Sequence, residues 1–162
     1  MSLYSPEYWM QKAIVLAKSA ALNNEVPVGA VVVLDNEIIG QGSNGVIHRH
    51  DPTAHAEIQA LQQAALKIGN YRLVNADLYV TLEPCAMCAG ALVHSRIRHL
   101  YFGALEAKSG AVVSNINLLG HSCMNHRVAV TGEILSECCS AVISDFFTRR
   151  RAEKKALKNS SQ

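Results

Sequence analysis

His55-Ala56-Glu57, followed after 26 intervening residues by Pro84-Cys85-Ala86-Met87-Cys88, is the stretch around which this chain is organised. Histidine nitrogen and cysteine thiolate are donors that zinc takes readily, and a structural zinc site closes its tetrahedron with four protein ligands. The compact set here stops at three, His55, Cys85 and Cys88, which leaves the fourth position for water. A metal in such a site lowers the pKa of that water from about 15.7 to about 7. Glu57, two residues after the histidine, is placed to act as the general acid/base that takes the water's proton and hands it to a leaving group. The pattern therefore predicts one Zn2+ per chain, with Glu57 as the catalytic residue. A closed structural site, completed by another histidine or cysteine, is the alternative, but it has no use for Glu57 or for an open position.

The segments around these residues set the fold. Pro52-Thr53 opens a helix that carries His55 and Glu57, with Ile58, Leu61 and Ala65 as its apolar stripe. A second helix, 87–94, starts at the cysteines, so two helix amino termini meet at the metal and favour the thiolate forms. Upstream, Ser5-Pro6 is a helix start by its N-cap and first-turn proline, and Met10, Ala13, Ile14 and Ala17 continue one buried stripe towards residue 22. Trp9 is expected to anchor that helix. The β-branched run 30–34 reads as a buried central strand, with Asp35-Asn36 turning the chain into an antiparallel neighbour over 37–41. Further strands are predicted at 77–81, 99–102 and 127–131. A closing helix runs from about residue 135 through a basic segment, and 103–120, without firm periodicity, is expected to be a functional loop. A hairpin followed by alternating helices and strands implies an α/β domain, a mixed five-stranded sheet with helices on both faces. Residues 1–158 are expected to form this single domain, with 159–162 a disordered tail.

Composition narrows the setting. Apolar runs are strand-sized, which excludes a membrane-spanning helix, and the amino terminus lacks the basic region and long apolar core of a signal peptide; a cytoplasmic protein with no membrane partner is expected. Five cysteines, two of them in the metal motif, fit a reducing compartment better than a disulfide framework. The net charge of +2 is unevenly spread. Arg149, Arg150, Arg151, Lys154, Lys155 and Lys158 outnumber Asp145 and Glu153, so 145–158 carries +4 and everything else −2. That distribution suits contact with an anion such as nucleic acid, or else a solvated helix end. Gly40, Gly42 and Gly45 surround Asn44, so the chain there can bend and approach a ligand closely. The Asn44 amide offers a donor and an acceptor to a nucleobase or ribose edge.

H-x-E followed by P-C-x-x-C is the signature of zinc deaminases. Beyond it, Glu25-Val26-Pro27-Val28-Gly29-Ala30, His50-Asp51-Pro52-Thr53-Ala54-His55-Ala56-Glu57, Leu82-Glu83-Pro84-Cys85-Ala86-Met87-Cys88-Ala89-Gly90, Met124-Asn125-His126-Arg127 and Asp145-Phe146-Phe147 follow one family's pattern. Through them nearly the whole chain resembles the bacterial tRNA-specific adenosine deaminases. The resemblance implies a three-layer α/β/α, cytidine-deaminase-like fold and a homodimer. It also implies conversion of adenosine to inosine at the wobble position of a tRNA anticodon, that of an arginine tRNA. By the same resemblance, Asn44 contacts the flipped base, Val26 and Phe147 line its pocket or the approach to it, and Ala56 and Cys85 contribute backbone donors. Of Phe146 and Phe147, one is expected in the core and one near the site. RNA contacts are expected at Glu106, Lys108, Arg149, Arg150 and Arg151. Where the family usually has Asp before Ala-Lys, this chain has Glu106 before Ala107-Lys108. Two other readings share the motifs: a same-fold deaminase of a free base or nucleotide such as cytosine or guanine, and a non-catalytic zinc-stabilised nucleic-acid-binding module. The basic tail argues against the first and Glu57 against the second.

Overall fold

The computed structural model describes residues 3–161. Its elements are α1 (Pro6–Leu22), β1 (Gly29–Leu34), β2 (Glu37–Ser43), α2 (Ala56–Ile68), β3 (Asp77–Leu82), α3 (Ala86–His94), β4 (His99–Ala104), a single 3-10 turn at Leu118–Gly120, β5 (Ala129–Thr131) and α4 (Ser136–Ser160). The five strands form one sheet in the order β2-β1-β3-β4-β5. Ala30 and Val32 point to one face of β1, Val31 and Val33 to the other, and all four are buried, as a central strand requires. On the first face α2 and α3 pack through Ala56, Ala60, Leu61, Ala89 and Leu92. On the second, α1 supplies Trp9, Met10, Ala13 and Ile14, and α4 supplies Cys139. The result is three layers, helices on both sides of a mixed sheet. No helix among the described residues is long and apolar enough to cross a membrane.

Local chemistry explains the element ends. Ser5 Oγ accepts the Tyr8 N–H at 3.2 Å and caps α1. Asp35 and Asn36 both have positive φ, +50° and +62°, which joins β1 to β2 in a tight hairpin. Two helix ends and one pair of glycines differ from the sequence expectation. Pro52 and Thr53 do not open α2: Thr53 N–H and Oγ–H both donate to Asp51 Oδ1, closing a turn, and the helix begins only at Ala56 with His55 as its N-cap. α4 continues through Asn159 and Ser160, because nothing in this polar helix end breaks the backbone ladder, so those two residues belong to the helix and not to an irregular tail; Gln162, like Met1 and Ser2, lies outside the described residues. Gly40 and Gly42, expected to admit a ligand, instead admit a helix. A Cβ on Gly40 would sit 2.2 Å from Ala60 O, and one on Gly42 2.4 Å from Ala56 O, so their bare backbones let α2 settle on β2.

Strand direction then gathers the site. β1 pairs antiparallel with both β2 and β3, whereas β3, β4 and β5 run parallel. The start of β1, the end of β2 and the carboxyl ends of β3 and β4 therefore share one rim. The chain just beyond each of these four ends supplies that rim with Val26, Asn44, Cys85 and Glu106.

Candidate active site

His55 and Cys85 occupy equivalent positions, the N-caps of α2 and α3, and neither caps its helix with a side-chain hydrogen bond. Both side chains are thus free to turn towards each other, and Cys88, buried one turn into α3, completes a triangle whose ligand atoms all lie within 4.8 Å of one another. His55 Nδ1 stands 3.6 Å from Cys85 Sγ and 3.5 Å from Cys88 Sγ. Zinc bonds of about 2.3 Å to sulfur and about 2.05 Å to nitrogen, opened to the tetrahedral angle, separate N and S by about 3.6 Å. The donor types and their spacing therefore fit one tetrahedral metal with an open fourth position.

The electrostatics agree. Hydrogen bonds from Cys88 and from His55 draw the Cys85 thiol down to about 3. The Cys88 thiol is held up by its hydrogen bond to Cys85 and by burial, so the pair shares a proton that a cation would displace. Glu57, in the first turn of α2, is 4% exposed, and burial pushes its carboxyl above the ordinary range. A carboxyl raised by burial and set beside a metal triangle is placed to take and return a proton.

These residues border a cavity of about 300 Å3. Val26, Val28, Val46 and Leu82 form its apolar wall, and Asn44, Ala56, Glu57 and Glu106 its polar one. The Asn44 amide donates to Val26 O at 3.3 Å, while its Oδ1 is buried in that wall with no hydrogen-bond partner. An orphaned buried acceptor is costly unless a ligand donor meets it, which makes Asn44 the natural contact for a bound molecule. Glu106 lines the cavity and accepts the Lys108 N–H at 2.9 Å, so Lys108 itself sits on the adjoining exposed turn.

The carboxy-terminal residues follow expectation in placing one of the two phenylalanines in the core and depart from it elsewhere. Phe146 is buried and Phe147 is 41% exposed, because adjacent residues on a helix point about 100° apart and only one can join the core stripe. Phe147 does not line the catalytic cavity; it lies with Arg150, Arg151 and Lys154 in a separate shallow depression. Arg149 is not a free cation either. Its guanidinium donates to Ala21 O at 2.8 Å and Asn24 Oδ1 at 3.2 Å, and pairs with Glu153 at 3.1 Å. It thereby satisfies the carboxyl end of α1, where a cation complements the helix dipole. Since residues 21 and 24 lead directly to Val26, this tether also brings the basic part of α4 beside the cavity rim. Arg150, paired with Glu153, and Arg151 remain exposed.

Two buried carboxylates that sequence reasoning left without a role shape the cavity. Glu25 Oε1 accepts Ile47 N–H at 2.9 Å, His48 N–H at 2.8 Å and His48 Nδ1 at 3.0 Å, fixing the loop that presents Asn44 and Val46. Burial alone would raise its pKa, but the bonds from His48 and Ile47 outweigh it and hold the carboxyl low. Glu83 does the same for the loop after β4: it accepts N–H groups of Glu106, Val112, Val113 and Ser114 at 2.8 to 3.1 Å, and the Ser114 hydroxyl as well. The signal was present in the sequence as single acids set among apolar strand ends and prolines.

Glu83 gives a pH prediction. Burial raises its pKa, yet the bonds from Ser114, Val113 and Glu106 lower it to about 2, against an ordinary 4.5. The unfolded chain therefore takes this proton first as pH falls. The stability Glu83 contributes is complete above about 4.5 and lost between 4.5 and 2. Glu83→Gln is expected to cost about 3 kcal/mol at neutral pH by leaving N–H donors unmatched. The melting-temperature gap between wild type and variant should close on acidification through that window. A gap that stays constant would show that the carboxylate charge is not what holds the loop.

Comparison with known proteins follows the same lines. Residues 4–151 match the family of MafB19-like deaminases. The tRNA-specific adenosine deaminase of Haemophilus influenzae is 52% identical over 94% of this chain and 88% of its own. That of Bacillus subtilis is 42% identical over 94% of both. A solved structure from work on A-to-I editing by tRNA:A34 deaminases at the wobble position of transfer RNA is 41% identical, with a TM-score of 0.81 over 83% of this chain and 98% of that one. The chain belongs, by sequence and by fold, to the deaminase family whose members include the tRNA-specific adenosine deaminases.

Proposed function

We propose that the chain hydrolyses the 6-amino group of adenosine at the wobble position of a tRNA anticodon, an arginine tRNA by family likeness, releasing inosine and ammonia. His55, Cys85 and Cys88 hold one zinc ion, and Glu57 moves the protons. The observation that carries this reading is the buried Glu57 carboxyl beside an open three-donor triangle, at the wall of a base-sized cavity with an unmatched acceptor on Asn44. Two names among the relatives, both tRNA-specific adenosine deaminases, support the substrate.

When bound, zinc supplies a water activated for attack on carbon. Glu57 would take one proton from the attacking water and place it on the ring nitrogen, then take the second from the new C6 hydroxyl and place it on the departing amine; a C–O bond forms at C6, the C–N bond breaks, and ammonia leaves. Asn44 Oδ1 accepts from the base or ribose edge. Ala56 and Cys85, at helix starts where backbone N–H groups lack intrahelical partners, orient the reacting centre. Val26, with Val28 and Val46, excludes water from the base. Glu106 and Lys108 on one side, and Arg150 and Arg151 on the other, meet the flanking RNA. A homodimer at work in the cytoplasm completes the reading and rests on the family likeness.

An anticodon loop offers a base that is already easy to splay out, so flipping costs little, and flanking contacts supply binding energy a free base lacks. Metal-loaded protein is expected to form inosine in a stem-loop with adenosine at the wobble position, and to release ammonia far more slowly from free adenosine, cytosine or guanine. Rapid turnover of a free base beside an inert stem-loop would replace this reading with that of a free-base deaminase. Inertness towards all of them would favour the non-catalytic module.

A further inference from the structure

At the end of the molecule away from the catalytic cavity, Arg72, Arg96, Arg98, His126 and Arg127 line a second cavity of about 350 Å3. Topology puts them there. Arg72 precedes β3, Arg96 and Arg98 precede β4, and His126 and Arg127 precede β5, so all five gather at the amino ends of three parallel strands. The catalytic residues follow the carboxyl ends, about 20 Å away along six-residue strands.

Three of the four arginines lining this cavity are aimed without being neutralised. Arg96 Nη1 donates to Val93 O at 2.8 Å and Asn125 Oδ1 at 3.1 Å. Arg127 Nη1 donates to Leu119 O and His121 O, both at 3.2 Å. Arg72 Nε donates to the Tyr71 hydroxyl at 3.0 Å, with its guanidinium over that ring. Every one of these acceptors is uncharged. Only Arg98 meets a carboxylate, gripping Asp77 through a fork of 2.9 and 2.8 Å. His126 donates Nε2–H to Ile97 O at 2.8 Å, which fixes its ring and leaves Nδ1 as the remaining polar atom. Among the described residues, then, four arginines line one cavity with no acid in its lining, and one of them, Arg98, is paired with Asp77 beside it.

Three uncompensated positive charges, those of Arg72, Arg96 and Arg127, repel one another around this concavity, and the field they create favours an anion. Neutral tethers set the direction of the Arg72, Arg96 and Arg127 guanidinium groups while leaving N–H donors unused, and such a planar fork matches two oxygens of one phosphate. We propose that this cavity is a phosphate-binding site, separate from the catalytic cavity, for either a free phosphate compound or a phosphate of an RNA backbone.

Inorganic phosphate titrated into the metal-loaded protein at constant ionic strength, with chloride as the balancing anion, tests it by calorimetry. The wild type is expected to bind one phosphate per chain saturably. Arg72→Gln, at an exposed side chain bonded only to its neighbour, should weaken binding roughly tenfold, and Arg96→Lys, which keeps the charge but loses the fork, by a similar factor. Lys18→Gln, at an exposed position on α1, should leave it unchanged. Circular dichroism and metal content of each variant establish that the fold is intact. Absence of saturable binding in wild type, or affinities in Arg72→Gln and Arg96→Lys within twofold of wild type, overturns the proposal. An anticodon stem-loop as competitor identifies the source. Competition, with Arg72→Gln weakening both ligands, assigns the RNA backbone; phosphate binding indifferent to the stem-loop assigns a free phosphate compound. Neither reading depends on turnover, so the site stands or falls separately from the deaminase assignment.

Discussion

Glu57→Gln is expected to retain one zinc per chain and to lose deamination by at least about 10²- to 10⁴-fold, the usual worth of positioned proton transfer. The substitution is nearly isosteric, and Glu57 is not one of the three residues whose ligand atoms cluster. What disappears is the ability to carry a proton, since an amide neither accepts one from water nor returns it to the amine. Stability should not suffer. A carboxyl whose pKa is raised by burial is ionised only at a cost, and a neutral amide in the same place avoids that cost. The measurement is inosine formation under single-turnover conditions, beside metal analysis and a thermal melt of the same preparation. Activity within a few-fold of wild type, with zinc in place, would remove Glu57 from the catalytic role.

Cys88→Ala is expected to fail one step earlier, by losing the metal. Cys88 is fully buried in the first turn of α3, and without it only His55 and Cys85 converge. An open site already at three protein donors has no ligand to spare. Because metal bound only to the folded chain stabilises it by mass action, added zinc should raise the wild-type melting temperature and leave the variant's unchanged. Cys139→Ala provides the control: that thiol is equally buried, but on α4 against the opposite face of the sheet, and its loss should leave metal content as it is. Stoichiometric zinc in Cys88→Ala would mean that the ligand set is wrong.

The sheet and its layers were legible because the strands carry their instructions locally. The run from Ala30 to Leu34 is β-branched and bounded by turn residues, and the helix stripes recur at three and four. The metal triangle was legible too, because two short motifs fix both donor type and spacing. What escaped was whatever depends on partners distant in sequence. Glycines beside Asn44 read as ligand clearance, yet the backbone that needs the room belongs to α2. Arg149 read as one of three equivalent cations, but its bonds reach back to residues 21 and 24. Phe147 read as a pocket residue by family likeness, and only the rotation of α4 in its packed position decides which of two adjacent rings faces inward. Glu25 and Glu83 are the clearest omissions. A buried acid has no periodicity of its own, and its meaning resides in the N–H groups that fold onto it.

Those N–H groups have a consequence for how such a chain can change. Glu83 grips the segment from Glu106 to Ser114 chiefly by main-chain donors, which every amino acid except proline provides. The outline of that segment is therefore nearly indifferent to its side chains, and the residues it turns towards the cavity are free to drift. A change of side chain at Glu106, which lines the cavity and is held here by its main-chain N–H, would be one such exchange. Recognition of a substrate can evolve on this loop one side chain at a time, provided that the single acid beneath it stays, that Gly110, where a Cβ would sit 2.4 Å from that acid, stays bare, and that no proline arrives at 106, 112, 113 or 114.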